Sequence, residues 1–157
     1  TMTHFMDPCR KDHEWIQIMT GELSNDSYSA AVAPVVGRVG VTNYAQKALG
    51  DLVYVELAKK NTQLTKGSPI GVVESVKGAS DIYSPVSGRI IAVNEAVIKK
   101  PSLINKHPEA EGIKMLCSYK FVGWLCEIEV DNANECESLM DSIQYEAFCK
   151  GQQTCAV

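Results

Sequence analysis

Short β-prone runs, separated by glycine, proline and polar residues, recur along this chain of 157 residues. The runs at 51–57, 70–76 and 124–130 are rich in β-branched and aromatic side chains, and they alternate between apolar and polar positions as half-buried strands do. Short strands at regular spacing are typical of small sandwiches and barrels. The sequence therefore predicts a mainly β fold, in a single domain over residues 1–157.

Residues 42–50 carry the signals of a short helix at both ends. Thr42 or Asn43 can accept a hydrogen bond from an amide of the first turn, and Gly50 is typical of a helix C-terminus. Residues 94–100 predict a second helical turn, which the proline that follows would stop.

The C-terminal region predicts the longest helix of the chain. Residues 135–150 place apolar side chains at helical spacing, which is the pattern of an amphipathic helix. At the other end, residues 1–12 are expected to form a loose tail, and they do not have the composition of a targeting peptide. Residues 101–108 are expected to be a loop.

Composition excludes several classes of function. The net charge of −4 and the pI near 5.4 argue against nucleic-acid binding, which usually needs a basic face. No apolar run approaches the roughly 18 residues that span a bilayer, so we expect no membrane contact. No C-x-x-C pair occurs, and a metal site is not expected. Free thiols in a reducing compartment are favoured for the six cysteines, Cys9, Cys117, Cys126, Cys136, Cys149 and Cys155.

One lysine stands between two β-prone runs. Lys77 follows the run at 70–76, precedes Gly78, and is followed by a second run that we place at 82–93. This arrangement predicts a tight hairpin with Lys77 at its tip, where another protein can reach the amine. An exposed lysine is usually only a solvated charge, so the local pattern alone does not assign it a role.

Four sequence blocks stand in order along most of the chain. They are His13-Glu14-Trp15-Ile16; Val39 to Gln46 with Leu49 to Leu57; Glu74-Ser75-Val76-Lys77 with Ser84 to Gly88 and Val93-Asn94; and Gly123-Trp124 followed by the terminal helix. Taken together and in this order, the blocks resemble the H protein family of the glycine cleavage system, whose members carry lipoate.

The resemblance implies a lipoyl-domain-like barrel-sandwich hybrid with short helices, and a carrier that has no catalytic residues of its own. Lys77 matches the lysine to which a lipoate-attaching enzyme joins lipoate as an amide. In this family a glycine decarboxylase (P protein) loads an aminomethyl group onto the arm, a tetrahydrofolate-dependent aminomethyltransferase (T protein) removes it, and dihydrolipoyl dehydrogenase (L protein) reoxidises the dithiol. The resemblance also implies a monomer in the mitochondrial matrix, or alternatively in a bacterial cytoplasm.

Two acids are further candidates for the site. In the family, acids at the positions of Glu14 and Asp81 lie near the parked arm, where a carboxylate can hold the cationic amine of the loaded group. Each could equally be a solvated charge or a local cap, and the sequence leaves both interpretations open.

The chain departs from the family pattern at three places. Residues 20–38 and 109–122 are longer than the matching segments, and we interpret them as loop insertions, which cost little stability. Gly78 stands where the family usually has alanine, and glycine keeps the turn easy to form.

Other functions are compatible with parts of this pattern. A lipoate-relay carrier that serves other lipoyl enzymes would share the lysine without needing the two acids. A binding module of the same fold without lipoate would be favoured only by the insertions. A biotin carrier is disfavoured because Val76 and Gly78, rather than methionines, flank the lysine. An independent enzyme is disfavoured because the sequence has no phosphate-binding loop and no activated nucleophile.

Overall fold

The computed structural model describes residues 6–8, 13–19, 34–108 and 123–153. The strands in this part of the chain are β1 (Met6–Pro8), β2 (Glu14–Met19), β3 (Val36–Val41), β4 (Leu52–Leu57), β5 (Gln63–Leu64), β6 (Pro69–Ser75), β7 (Gly78–Tyr83), β8 (Gly88–Val93) and β9 (Cys126–Val130). The helices are α1 (Asn43–Leu49), α2 (Glu95–Lys99), α3 (Ser102–Lys106), α4 (Asn134–Glu137) and α5 (Ser142–Gln153). None of these helices has both the length and the hydropathy needed to cross a bilayer.

The strands form two antiparallel sheets that share one core. A six-stranded sheet has the order β1-β2-β3-β9-β8-β5, and a three-stranded sheet has the order β4-β6-β7. Apolar side chains from both sheets enter the same buried cluster, which includes Ile16, Val39, Val55, Ile70, Val73, Ile82, Ile90 and Ile128. The two sheets therefore pack face to face, as in a sandwich.

Strand β9 shows why the larger sheet forms as it does. Its residues alternate between fully buried Cys126, Ile128 and Val130 and half-buried glutamates, which is the period-two pattern of a strand with one core face. Glu127 and Glu129 form ion pairs with Arg38 on β3 and Arg89 on β8, each at 2.6 Å. Cross-strand pairs of opposite charge favour this register.

Helix α1 forms between the capping residues that the sequence predicts. The Thr42 hydroxyl accepts a hydrogen bond from the backbone N–H of Ala45 at 3.2 Å. Gly50 ends the helix at a φ of 82°, a left-handed conformation that glycine adopts without steric cost. The prediction of the helix and of both its ends is confirmed.

The hairpin around Lys77 is present, but the predicted return strand was wrong. The chain returns through β7, which starts at Gly78 and pairs with β6, whereas residues 88–93 form β8 in the other sheet. Residues 78–83 carry few β-branched side chains and are exposed along most of their length, so their β-propensity is low. Pairing with β6 determines their conformation instead.

The structure corrects three further predictions, at residues 6–8, 101–108 and 36–38. Residues 6–8 of the predicted tail pair with β2. The predicted loop at 101–108 contains α3, whose Ile104 is completely buried. Residues 36–38 of the predicted insertion belong to β3. The rest of that insertion up to residue 33, and the whole of 109–122, lie outside the described residues.

The predicted terminal helix is two helices, α4 and α5. A capping box separates them: the N–H of Gln144 donates to Oδ1 of Asp141 at 2.8 Å, and the N–H of Asp141 donates to Oε1 of Gln144 at 3.1 Å. This reciprocal pair starts a new helix, so the apolar pattern of 135–150 continues across a break in the backbone.

Candidate functional site

Lys77 lies in the two-residue turn that joins β6 to β7. Ser75 pairs with Gly78, so only Val76 and Lys77 stand outside the ladder. The hydroxyl of buried Ser75 accepts a hydrogen bond from the N–H of Lys77 at 3.1 Å and donates one to the carbonyl of Gly78 at 3.2 Å. The turn is therefore held from beneath by one side chain, while the Lys77 side chain is exposed.

Gly78 has a backbone conformation that other residues rarely adopt. Its φ is 155°, and a β-carbon built on it would have no atom within 4 Å. The conformation of the turn, rather than lack of space, therefore favours glycine over the family's usual alanine.

The C-terminal end of α1 forms a support for the lysine side chain. Nζ of Lys77 lies 3.4 Å from the carbonyl oxygen of Ala48. A β-carbon built on Gly50 would lie 3.4 Å from Cε of Lys77, so the lysine side chain occupies the space beside this glycine. Unpaired carbonyls at a helix C-terminus attract a cation, and acylation of the amine removes that charge.

Asn105 on α3 fixes this support from below, a role that sequence reasoning missed. Its side-chain nitrogen donates to the carbonyl of Gly50 at 2.9 Å and to the amide oxygen of Gln46 at 3.0 Å. Its side-chain oxygen accepts from the N–H of Leu52 at 3.0 Å. One side chain thus ties the end of α1 to the start of β4. The segment was predicted to be a loop, so nothing in the sequence pattern distinguished this asparagine.

Glu14 is buried, with only 1% of its surface exposed, at the start of β2. Its Oε1 accepts a hydrogen bond from the backbone N–H of Tyr83 at 2.9 Å. Since β7 is an edge strand of the three-stranded sheet, Glu14 provides an acceptor to an amide that faces away from the β6 ladder. The acid therefore connects the two sheets.

Asp81 lies on the same strand but in a different environment. It is exposed, and its Oδ2 accepts a hydrogen bond from the Tyr83 hydroxyl at 3.4 Å. Glu14 and Asp81 thus both bind Tyr83, Glu14 at its backbone N–H and Asp81 at its hydroxyl. Lys77 lies beyond the Gly78 end of the strand.

The sequence of this chain matches that of known proteins over most of its length. The sequence model of the family described as Glycine cleavage H-protein matches residues 23–152. The glycine cleavage system H protein of Thermotoga maritima is 39% identical over 139 residues, which cover 88% of this chain and 92% of that protein. This chain belongs to the glycine cleavage H-protein family. The resemblance seen in the four sequence blocks is confirmed.

Two further relatives extend the comparison. The putative mitochondrial glycine cleavage system H protein of Schizosaccharomyces pombe is 39% identical over 140 residues, covering 89% of this chain and 68% of that protein. The crystal structure of a glycine cleavage system H protein from Mycobacterium marinum superposes with a TM-score of 0.66 at 33% identity, covering 88% of this chain and 91% of that chain. The predicted barrel-sandwich hybrid is confirmed, and family membership makes the chain a non-catalytic component of the glycine cleavage system.

Within this family member, His13 is bound into a structural network. Its Nδ1 lies 2.8 Å from the hydroxyl of Tyr145 on α5, and the same hydroxyl lies 2.8 Å from Oγ1 of Thr42. The ring of His13 also packs against Tyr44 and Phe148. The terminal helix therefore holds the segment that carries Glu14.

The described cysteines show no sign of a reactive centre. Cys126 is a buried free thiol, and burial, with a smaller contribution from Glu127, raises its pKa to about 12. A thiol is a much weaker nucleophile than its thiolate. Cys126 remains a thiol at neutral pH and is therefore inert. Cys9, Cys117 and Cys155 lie outside the described residues. Among the described side chains, no cluster of His, Cys, Asp or Glu is arranged to hold a metal ion.

Proposed function

We propose that this chain carries lipoate as an amide on Lys77 and shuttles an aminomethyl group between the enzymes of glycine cleavage. The observation that carries the proposal is the position of Lys77, exposed in a hydrogen-bonded two-residue turn in a member of the H-protein family. The glycine decarboxylase would load the arm, the tetrahydrofolate-dependent aminomethyltransferase would unload it, and dihydrolipoyl dehydrogenase would reoxidise the dithiol.

The tip suits the attachment chemistry. In attachment, the neutral amine Nζ of Lys77 attacks the carboxyl carbon of activated lipoate. The C–N amide bond forms, the bond to the activating group breaks and that group leaves with the electron pair, and the nitrogen gives up a proton. The turn presents this amine to solvent. A lysyl-lipoyl arm has about thirteen bonds from Cα to its sulfur and extends on the order of 16 Å. Tethering on such an arm raises the local concentration of the dithiol at a docked enzyme.

The length of the arm distinguishes the two candidate acids. Strand residues advance by about 3.3 Å, so Asp81, four residues from Lys77, lies about 13 Å along the strand and within reach of the arm. We assign to Asp81 the contact with the cationic amine of the loaded group, by a charge-assisted hydrogen bond. Glu14, which binds the N–H of Tyr83, lies about 20 Å along the strand, beyond the roughly 16 Å that the arm extends. Its proposed contribution is a second acidic group near that end of β7.

The partners and the compartment follow from the same proposal. Relatives include bacterial proteins and the S. pombe protein that is named as mitochondrial. The mitochondrial matrix, with a bacterial cytoplasm as the alternative, and the monomeric state stay predictions. Lys77 and Asp81 fall inside the matched range of 23–152, and Glu14 precedes it.

Intact mass and peptide mapping test the attachment. After co-expression with a lipoate ligase, we expect a mass gain of one lipoyl group located on the peptide that contains Lys77. The Lys77→Arg variant keeps the positive charge but has no acylatable amine, so it should gain no mass. The lipoylated chain, and not the variant, should support exchange between the carboxyl group of glycine and bicarbonate in the presence of glycine decarboxylase. A bare Lys77, in cells where a reference carrier is fully lipoylated, would refute the proposal.

A further inference from the structure

The outer face of the three-stranded sheet lies beside Lys77 and exposes both apolar and acidic side chains. The pairing of the strands places Tyr54 opposite Glu74 in one row and Glu56, Val72 and Asp81 in the next. Directly opposed residues of an antiparallel sheet point to the same side. We use "outer face" for the surface formed by Val53, Tyr54, Glu56, Glu74, Val76 and Asp81.

Large apolar side chains are exposed on this face close to the lysine. Val53 is 58% exposed, Tyr54 46% and Val76 78%. An irregularity of the pairing between Leu52 and Tyr54 places both Val53 and Tyr54 in solvent. Leu52 pairs with Ser75, directly below the turn, so the exposed apolar groups adjoin the tip. Clustered apolar exposure of this kind marks interaction surfaces more often than isolated exposed residues do.

The charges on the outer face all have one sign. Strands β4, β6 and β7 contain no lysine or arginine, while Glu56, Glu74 and Asp81 are exposed acids. In the six-stranded sheet, by contrast, glutamates are paired with Arg38 and Arg89. The lysines nearest to these strands in sequence, Lys47, Lys59, Lys60, Lys66 and Lys77, all lie outside them, and acylation removes the charge of Lys77.

Tyr54 lies close to two of these acids, Glu56 and Glu74. Its hydroxyl donates a hydrogen bond to Glu56 at 3.1 Å. This hydrogen bond, followed by the negative charges of Glu56 and Glu74, raises the pKa of Tyr54 above its usual value. Exposed acids therefore lie next to the apolar side chains of the outer face.

We propose that the outer face docks the enzyme that loads the arm, through an enzyme surface that places lysine and arginine side chains around an apolar centre. The proposal rests on the proposed carrier function, because the outer face adjoins the turn that carries Lys77, and the loading enzyme must reach the arm on that turn. Complementary charge raises the rate of encounter and sets orientation. A small, charged interface also releases readily, as a shuttle that visits several enzymes requires.

Charge reversal on the outer face tests this docking. Glu56→Lys is compared with Glu137→Lys, which makes the same charge change on exposed Glu137 of α4. Both variants are lipoylated, and intact mass confirms the modification. Each is then assayed in glycine–bicarbonate exchange with glycine decarboxylase, at varied carrier and salt concentrations. We expect the KM for the Glu56→Lys carrier to rise about tenfold with kcat retained and with a weaker salt dependence. The Glu137→Lys carrier should behave as the wild type.

A second variant separates the apolar centre from the charges. Val53→Ser should raise the KM for the carrier by about threefold without changing its salt dependence, because it alters no charge. Equal KM values and salt slopes for wild type, Glu56→Lys and Glu137→Lys would overturn the docking face. The same holds if Glu56→Lys only lowers the lipoylated fraction, since the attaching enzyme would then be the one that reads this face. If the lipoylated wild type supports no exchange, the carrier function itself fails, which is a different result.

Discussion

At the scale of single residues, Glu14 combines a carboxylate with almost complete burial. A buried charged group is costly unless it is hydrogen-bonded, and Glu14 accepts the N–H of Tyr83 at 2.9 Å. Glu14 thus has a structural role as the hydrogen-bond acceptor for a backbone N–H of the edge strand β7. Stability and carrier function can be measured separately at this position.

We expect Glu14→Ala to lower the free energy of unfolding by about 1–3 kcal/mol, because the amide of Tyr83 loses a charged acceptor in a buried place. Glu14→Gln keeps an oxygen that can accept this bond and should lose less than half as much. Urea unfolding of the unlipoylated chain measures both values. Equal losses in the two variants would show that the hydrogen bond to Tyr83 contributes little.

The residues of the site differ in how visible they are in the sequence. Lys77 and Gly50 are found because turns and helix ends have local signals. Asn105 is not, because its partners Gln46, Gly50 and Leu52 lie 53 to 59 positions earlier in the chain. Hydrogen bonds across such separations follow from tertiary packing, and no local pattern records them.

At the scale of elements, helix α5 is attached to the start of β2 through one hydroxyl. Tyr145 is buried, and its OH reaches both His13 and Thr42, the residues that flank the paired ends of β2 and β3. The exposed side of the same helix carries Ile143, which is 79% exposed. The two positions offer a matched comparison within one helix.

We expect Tyr145→Phe to lower the free energy of unfolding by about 1–3 kcal/mol, since it leaves two polar partners without this hydroxyl while keeping the ring. Hydrogen exchange should accelerate in α5 and in residues 13–16. Ile143→Ala should change stability by less than about 0.5 kcal/mol, as surface substitutions usually do. Exchange that accelerates equally in both variants would mean that the helix is held by packing of its rings alone.

Elements with strong local signals were predicted and those with weak ones were not. The caps of α1 and the alternation of β9 are encoded within a few residues. Strand β7 has little β-propensity and exists because β6 pairs with it. The break between α4 and α5 was encoded, in the capping box of Asp141 and Gln144, but the continuous apolar pattern concealed it.

At the scale of the whole molecule, the site joins the two sheets at one side of the core. Helix α1 connects β3 of the larger sheet to β4 of the smaller one, and its C-terminal end supports Lys77. Glu14 makes a second connection, from β2 to the edge of β7. Both connections exist before any arm is attached, so the fold holds the end of α1 and the edge of β7 in place and presents an exposed lysine.

From this arrangement we expect attachment of lipoate to leave global stability unchanged. The only polar contact that the structure describes for Nζ of Lys77 is an exposed one, at 3.4 Å from Ala48, and changes at such surface sites usually stay within about 0.5 kcal/mol. Urea unfolding of the unmodified and lipoylated chains should therefore give the same midpoint and slope. The aminomethyl-loaded chain should differ, because a bound amine stabilises the conformation that binds it. Its β7 amides should exchange more slowly.

The Asp81→Asn variant separates these two states of the arm. It removes the charge that we assign to the amine contact but leaves Glu14 and the β6–β7 ladder in place. Loading should therefore slow the exchange of β7 amides in the wild type and not in the variant, while the unloaded forms exchange alike.

A lipoylated, unloaded chain that is already about 2 kcal/mol more stable than the unmodified one would contradict the expectation that attachment leaves global stability unchanged. The arm would then bind the fold through its apolar length, and the aminomethyl group would not be the signal that parks it.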